Sequence, residues 1–208
     1  MLHLRRFLST TPTRLNIRPA AAIAQHFETR VPEGDSVARQ VCFNCGFIKY
    51  ENPLVVVGAV ITHQETQGSP TKILMCKRAI QPRYGKWTPP AGFMEKQETL
   101  EEGAKRESHE EAGADIRVGS LLGIYSIPHI SQVHVFYRAT LLPPKTPATP
   151  LFAAGTESLE VKLLEYGQIP WDDIAFPVAK HALTFWHEHQ DDHAVQQLTL
   201  PKLSLNSM

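Results

Sequence analysis

Gly92–Ala114 reads GFMEKQETLEEGAKRESHEEAGA. Residues three and four apart share one face of a helix, so Glu107 stands over both Glu110 and Glu111. Three carboxylates on one patch repel unless a cation sits among them. Hard oxygen donors suit Mg2+ or Mn2+ better than zinc. Glu98, near the helix start, suits the positive end of the helix dipole. Arg106 is expected to bridge Glu98 and the cluster. Leu100, Ala104, Ser108 and Ala112 make a second stripe, small enough to bring the helix close to a sheet. Gly113 stops the helix and Gly92 opens the loop before it. A run of Glu alone is ordinarily a solvated helix face. Glycines fixed at both ends and one internal Arg argue for a built site.

Upstream, Leu54–Ile61 is a continuous Val-rich run, the mark of a strand buried on both faces. Ile73–Arg78 reads as its hairpin partner, with Cys76 inside the core. Ala79–Ala91 is a loop, in which Arg78 at the strand end and Arg83 are the candidates for phosphate oxygens. Downstream, Ile116–Ile127, Val133–Leu142 and Val161–Leu164 read as strands. Pro143–Gly155 is a stiff, Pro-rich connection. The spacing of Val178, Ala182, Phe185 and Trp186 predicts a terminal amphipathic helix over Phe176–Glu188. His187 and His189 fall on different faces of that helix, which argues against a metal site with His181. Periodicity alone gives an α/β fold.

The sequence carries 21 basic and 21 acidic residues. That balance leaves no electrostatic footprint for bulk nucleic acid or a membrane surface. No apolar run reaches bilayer length. Cys42, Cys45 and Cys76 make no disulfide framework, so a reducing intracellular compartment is the simplest reading. Residues 1–27 hold Arg5, Arg6, Arg14 and Arg18 and no acidic residue. This composition predicts a transit peptide, mitochondrial by its Arg content, with plastid or cytoplasm as alternatives. The expected layout is a leader over 1–27, an extension over 28–53, the main domain over 54–190 and a tail over 191–208.

The central stretch resembles the Nudix box, G-x5-E-x7-R-E-U-x-E-E-x-G-U, where U is bulky and apolar. Gly92, Glu98, Arg106, Glu107, Glu110, Glu111 and Gly113 fill its polar and glycine positions. Ser108 and Ala114 are smaller than the U positions usually hold. Trp87-Thr88-Pro89-Pro90-Ala91-Gly92 resembles the family's approach to the box, and the likeness runs from about Val41 to His189. It implies an α/β/α sandwich on a mixed β-sheet. It implies Glu107, Glu110 and Glu111 as holders of Mg2+ or Mn2+, with Glu98 and Arg106 orienting them. It also implies a further carboxylate after the Pro-rich loop, Glu157 before Glu160, as metal partner or base. Relatives in this branch carry a zinc ribbon ahead of the domain. Cys42 and Cys45 match only its second half, so zinc there is not expected within a monomer; a vestigial ribbon packing on the core and a site shared across a dimer stay open.

The resemblance, nearest to plant plastid enzymes, implies hydrolysis of FAD to FMN and AMP, or of ADP-ribose to ribose 5-phosphate and AMP. The expected ligand is a small dinucleotide or nucleotide sugar, and a homodimer is possible. The post-box array of NADH pyrophosphatases is replaced by Tyr125-Ser126-Ile127-Pro128-His129-Ile130-Ser131, which argues against NADH. Phe93, Tyr125 and Phe136 are the candidate ring-stacking aromatics, although core packing competes for each. The alternatives are an inactive nucleotide sensor and an RNA 5′-cap hydrolase. Complete box carboxylates argue against the first, and the missing basic stripe argues against the second.

Overall fold

The computed structural model describes residues 26–190 and 194–201. The leader expected over 1–27 lies outside the described residues, apart from His26 and Phe27. Two compact units divide between Asn52 and Pro53. The smaller is a three-stranded antiparallel sheet of β1 (Phe27–Arg30), β2 (Arg39–Cys42) and β3 (Ile48–Lys49), in that order.

The larger unit is built on β4 (Leu54–His63), β5 (Lys72–Arg78), β8 (Ile116–Ile127), β9 (Gln132–Leu141), β10 (Ser158–Glu165) and β11 (Gln196–Thr199). They lie in the order β10-β5-β4-β9-β8-β11. Short β6 (Trp87–Thr88) pairs with β5, and β7 (Ala91–Phe93) pairs with β4. β4 runs parallel to β9, and β11 parallel to β8, while β4 and β5 are antiparallel, so the sheet is mixed.

Period-two alternation sends side chains of one strand to two different cores. Val57, Ala59, Ile61, Val135 and Tyr137 pack with Ala104 and Ala112 of α1 (Leu100–Ala112). Val60, Leu122, Tyr125 and Phe136 pack with Val178, Ala182, Leu183 and Trp186 of α2 (Pro177–Glu188). Each fully buried aliphatic side chain contributes roughly 1.5–3 kcal/mol. The sheet with a helix on either face is the expected α/β/α sandwich.

The tail contributes an edge strand: Gln196–Thr199 adds to β8 in register with Gly123–Ser126. The Pro-rich connection is fastened at its end, where Ala153 N–H donates to Ala112 O at 2.8 Å and Gly155 N–H to Glu111 O at 3.0 Å. These two donors satisfy carbonyls that the helix C-terminus otherwise leaves open.

Candidate active site

α1 starts with a capping box. Thr99 Oγ1 accepts from Glu102 N–H at 3.2 Å, and Glu102 Oε2 accepts from Thr99 N–H at 2.8 Å, which satisfies two otherwise unpaired groups. The helix ends at Gly113, whose φ of 56° is left-handed and suited to glycine. Ala104, Ser108 and Ala112 are fully buried. Ser108 fills the position where a bulky residue was expected because its hydroxyl donates to Ala104 O at 2.6 Å, so no polar atom is stranded in the core.

Glu107 and Glu111 lie on this buried side, whereas Glu110 is exposed. The three carboxylates therefore do not form one open patch, as helical spacing alone suggested. Arg106 divides them. Its Nε and Nη2 grip Glu98 at 3.0 and 2.8 Å. Nη1 donates to Glu107 at 2.6 Å and to Glu110 at 3.1 Å, and Nη2 also reaches Phe93 O at 3.0 Å. All five donors of the guanidinium are used. The bridge from Glu98 to the cluster is present, and it also ties α1 to the end of β7.

Glu111 is held separately, its Oε2 accepting from Ala91 N–H at 3.1 Å. A Cβ on Gly92 would come within 2.3–2.4 Å of the Glu107 carboxylate, so glycine there leaves that carboxylate its present position. Burial pushes the Glu111 carboxyl up to about 8, with the neighbouring Glu107 and Glu157 adding to the rise and the Ala91 N–H and Arg78 opposing it. Burial also raises Glu107, against the pull of Arg106. The Arg106 bond holds Glu98 below the usual carboxyl range.

Glu157 is exposed, and its charge bears on both Glu107 and Glu111. Its carbonyl accepts from Ala79 N–H at 2.8 Å, which pins it beside the end of β5. Glu160 instead pairs with Lys162. Arg78 bears on Glu111, while its Nε donates to Pro82 O at 3.0 Å and its guanidinium lies over Phe176. Arg83 sits on the exposed loop with φ of 67°. Tyr125 and Phe136 are core residues in edge contact, whereas Phe93 is 51% exposed. His187 stacks on Tyr166 and His189 on Phe185. Buried Cys76 has its thiol raised by burial.

Two polar residues escaped the sequence reading. Register places Phe93, Val56 and His134 side by side across the sheet. His134 Nε2 lies 2.9 Å from Gln132 Oε1, while its Nδ1 is buried without a partner among the described residues. Burial lowers the His134 ring to about 4, so it is neutral near pH 7. Because an amide oxygen can only accept, the contact takes the Nε2–H tautomer of His134. Neither residue belongs to a motif; only strand alternation after Ser131 pointed to that face.

Among the described residues, no three His, Cys, Asp or Glu side chains stand ready-made around an ion. The donor chemistry nevertheless fits a hard divalent cation. Buried Glu111 and Glu107, with Glu157 beside them, form an all-oxygen set whose mutual repulsion a cation would relieve. The raised Glu111 carboxyl has a sign that can be checked. Its proton favours the fold at low pH, and that contribution is lost as pH rises from the ordinary carboxyl range through about 8. Metal-free wild type is therefore expected to lose a few degrees of Tm relative to Glu111→Gln between about pH 5 and pH 8. Added Mg2+ should restore most of that loss at the upper end. Parallel melting profiles for the two proteins would contradict it.

A NUDIX domain model matches residues 52–186, and a zinc-ribbon model described as Nudix N-terminal matches residues 24–51. The fold is similar to a crystal structure of a NUDIX hydrolase from Nitrosomonas europaea. That match has 44% identity and a TM-score of 0.75, covering 85% of this chain and 94% of that one. An ADP-ribose pyrophosphatase of Methanocaldococcus jannaschii is 42% identical over 79 residues, covering 38% of this chain and 43% of the relative. An 8-oxo-dGDP phosphatase of Danio rerio is 40% identical over 90 residues, covering 43% of this chain and 25% of the relative. The matches thus span less than half the length of these two curated relatives.

Proposed function

The chain belongs to the Nudix family, and we propose that it is a Mg2+- or Mn2+-dependent pyrophosphohydrolase. Its substrates would be nucleoside diphosphates joined to a second moiety, ADP-ribose and FAD foremost. The observation that carries this reading is the crowding of Glu107, Glu111 and Glu157 beside Arg78. Glu107, Glu110 and Glu111 would hold the cation, with Glu110 turning from Arg106 to do so. The cation would neutralise charge on the non-bridging phosphoryl oxygens. Arg106 and Glu98 fix the Glu107 carboxylate in place. Arg78, and Arg83 on the loop beyond it, would meet the diphosphate oxygens. Glu157, exposed and bearing on both buried carboxylates, would take the proton of the attacking water.

ADP-ribose is supported by the name of the archaeal relative, whose match is confined to part of each chain. FAD rests on the sequence resemblance. The nucleobase would lie on the open sheet face of Phe93, with Gln132 donating to a ring acceptor. Register puts His134 two strand spacings from Phe93, about 10 Å. The Arg-rich leader composition supports a mitochondrial address.

The deciding experiment is turnover of ADP-ribose and FAD side by side with and without Mg2+. AMP released from either, dependent on the ion, is the expected result. Gln132→Leu should raise KM about tenfold with little change in kcat. No turnover of either substrate by folded protein would overturn the assignment. Turnover of ADP-ribose alone would remove FAD from it.

A further inference from the structure

Arg78 is the last residue of β5, and its backbone is bonded on both sides. Its N–H donates to Lys86 O and its C=O accepts from Gly85 N–H, each at 2.9 Å. The side chain is then held at two points. Nε donates to Pro82 O at 3.0 Å, across the loop that follows the strand. The guanidinium carbon lies over the Phe176 ring, 5.1 Å from its centre. The face of an aromatic ring carries negative charge, and a guanidinium is weakly hydrated, so the two stack with little loss of solvation.

Phe176 is fixed in its turn. It precedes Pro177, the first residue of α2, and its φ of −135° and ψ of 139° are extended, as a residue before proline prefers. Its C=O accepts from Ala179 N–H at 3.0 Å and from Lys180 N–H at 3.3 Å, and the preceding Ala175 N–H donates to Trp87 O at 2.8 Å. The ring is half-buried and packs against the core on the α2 side of the sheet. Arg78 meanwhile bears electrostatically on Glu111, and the Glu157 carbonyl is bonded to the next residue, Ala79. Yet among the described residues Arg78 forms no ion pair with either carboxylate, and Nη1 and Nη2 bond no acceptor there.

We propose that Phe176 is a positioning residue: its ring, with Pro82 O, holds the Arg78 guanidinium off the acidic set and leaves Nη1 and Nη2 for the oxygens of a substrate diphosphate. A loose arginine beside Glu111 and Glu157 would be drawn onto them, and would have to leave that pair before it met a phosphate. Stacked, it keeps its outer N–H groups in the planar fork that phosphate oxygens match. The order is set before the ligand arrives, so little side-chain freedom is lost on binding. This inference rests on the pyrophosphohydrolase reading of the site, and it gives Phe176 no contact with the reacting phosphorus.

The test pairs kinetics on ADP-ribose in Mg2+ with calorimetric binding of α,β-methylene-ADP, a diphosphate analogue that cannot be hydrolysed at its bridge. Arg78→Ala should raise KM and the analogue's Kd about 30-fold, and Phe176→Leu about fivefold with kcat within about twofold of wild type. Phe176→Tyr, which keeps the ring face, should restore both to within about twofold. In an Arg78→Ala background Phe176→Leu should add nothing, because the two residues act through one guanidinium. A ring-fluorinated phenylalanine at the same position keeps the shape and withdraws charge from the face, so a rise in Kd of about threefold is expected even where the leucine variant fails to fold. An unchanged Kd in the fluorinated protein, or equal losses with and without Arg78, would overturn the inference and leave the pyrophosphohydrolase reading standing. Binding of the analogue without turnover would remove catalysis and leave Phe176 its role. A folded wild type that neither binds the analogue nor cleaves ADP-ribose would remove the reading of the site, and the inference with it.

Discussion

Glu111→Gln is expected to lower kcat/KM by about 10³-fold while leaving the fold intact, an effect of the size seen when charge complementarity at a reacting phosphoryl group is lost. The amide keeps the shape of the side chain, and its carbonyl oxygen can still accept the Ala91 N–H that now bonds Glu111. The negative charge disappears. Because Glu111 is 6% exposed, water cannot replace the missing charge at that point. Glu110→Gln should cost less, since Glu110 is exposed and touches only the rim of the Arg106 guanidinium. Steady-state kinetics at saturating Mg2+, beside circular dichroism, decide the matter. A Glu111→Gln enzyme that kept a tenth of its activity would remove Glu111 from the metal set.

Arg106→Ala should be the most destabilising change near the site. Arg106 is 26% exposed, and its partners Glu98 and Glu107 are 14% and 11% exposed. Removing one partner of a largely buried ion network leaves uncompensated charge, at a cost of about 3 kcal/mol. For a domain of this size that is a fall in Tm of roughly 6–12 °C. Activity should drop about 10–100-fold as Glu107 loses its orientation. Arg106→Lys should recover little, because an ammonium has three donors and no planar fork to span Glu98, Glu107 and Phe93 O. Thermal melts of the three proteins measure this directly. An alanine variant within a degree or two of wild type would show that the network contributes nothing to the fold.

The box helix, the long strands and the three-layer class were legible because each is written in a period or a spacing. Leu54–Ile61 reads as a central strand and occupies the middle of the sheet. The Arg106–Glu98 bridge followed from charge and helical separation. Local spacing could not show that α1 turns Glu107 and Glu111 toward the sheet, because that depends on how closely Ala104, Ser108 and Ala112 allow the helix to approach. The parallel addition of β11 to β8 is a long-range pairing with no local signature. The same holds for the row of Phe93 and His134, which three separate chain segments assemble. The Thr99–Glu102 capping box was overlooked, although it is written locally as T-x-x-E.

The fastening of Ala153 and Gly155 to the end of α1 isolates what precedes it. Leu151 and Phe152 pack against the core just before that anchor, and Leu142 N–H is bonded to Asp115 O just after β9. Pro143–Pro150 is therefore a span whose two ends are set independently of its length. Doubling such a span adds only about 0.6 kcal/mol of closure entropy. A reporter peptide or affinity tag spliced there would leave Glu157 at its present station beside the helix, so the protein could be labelled internally with neither terminus disturbed.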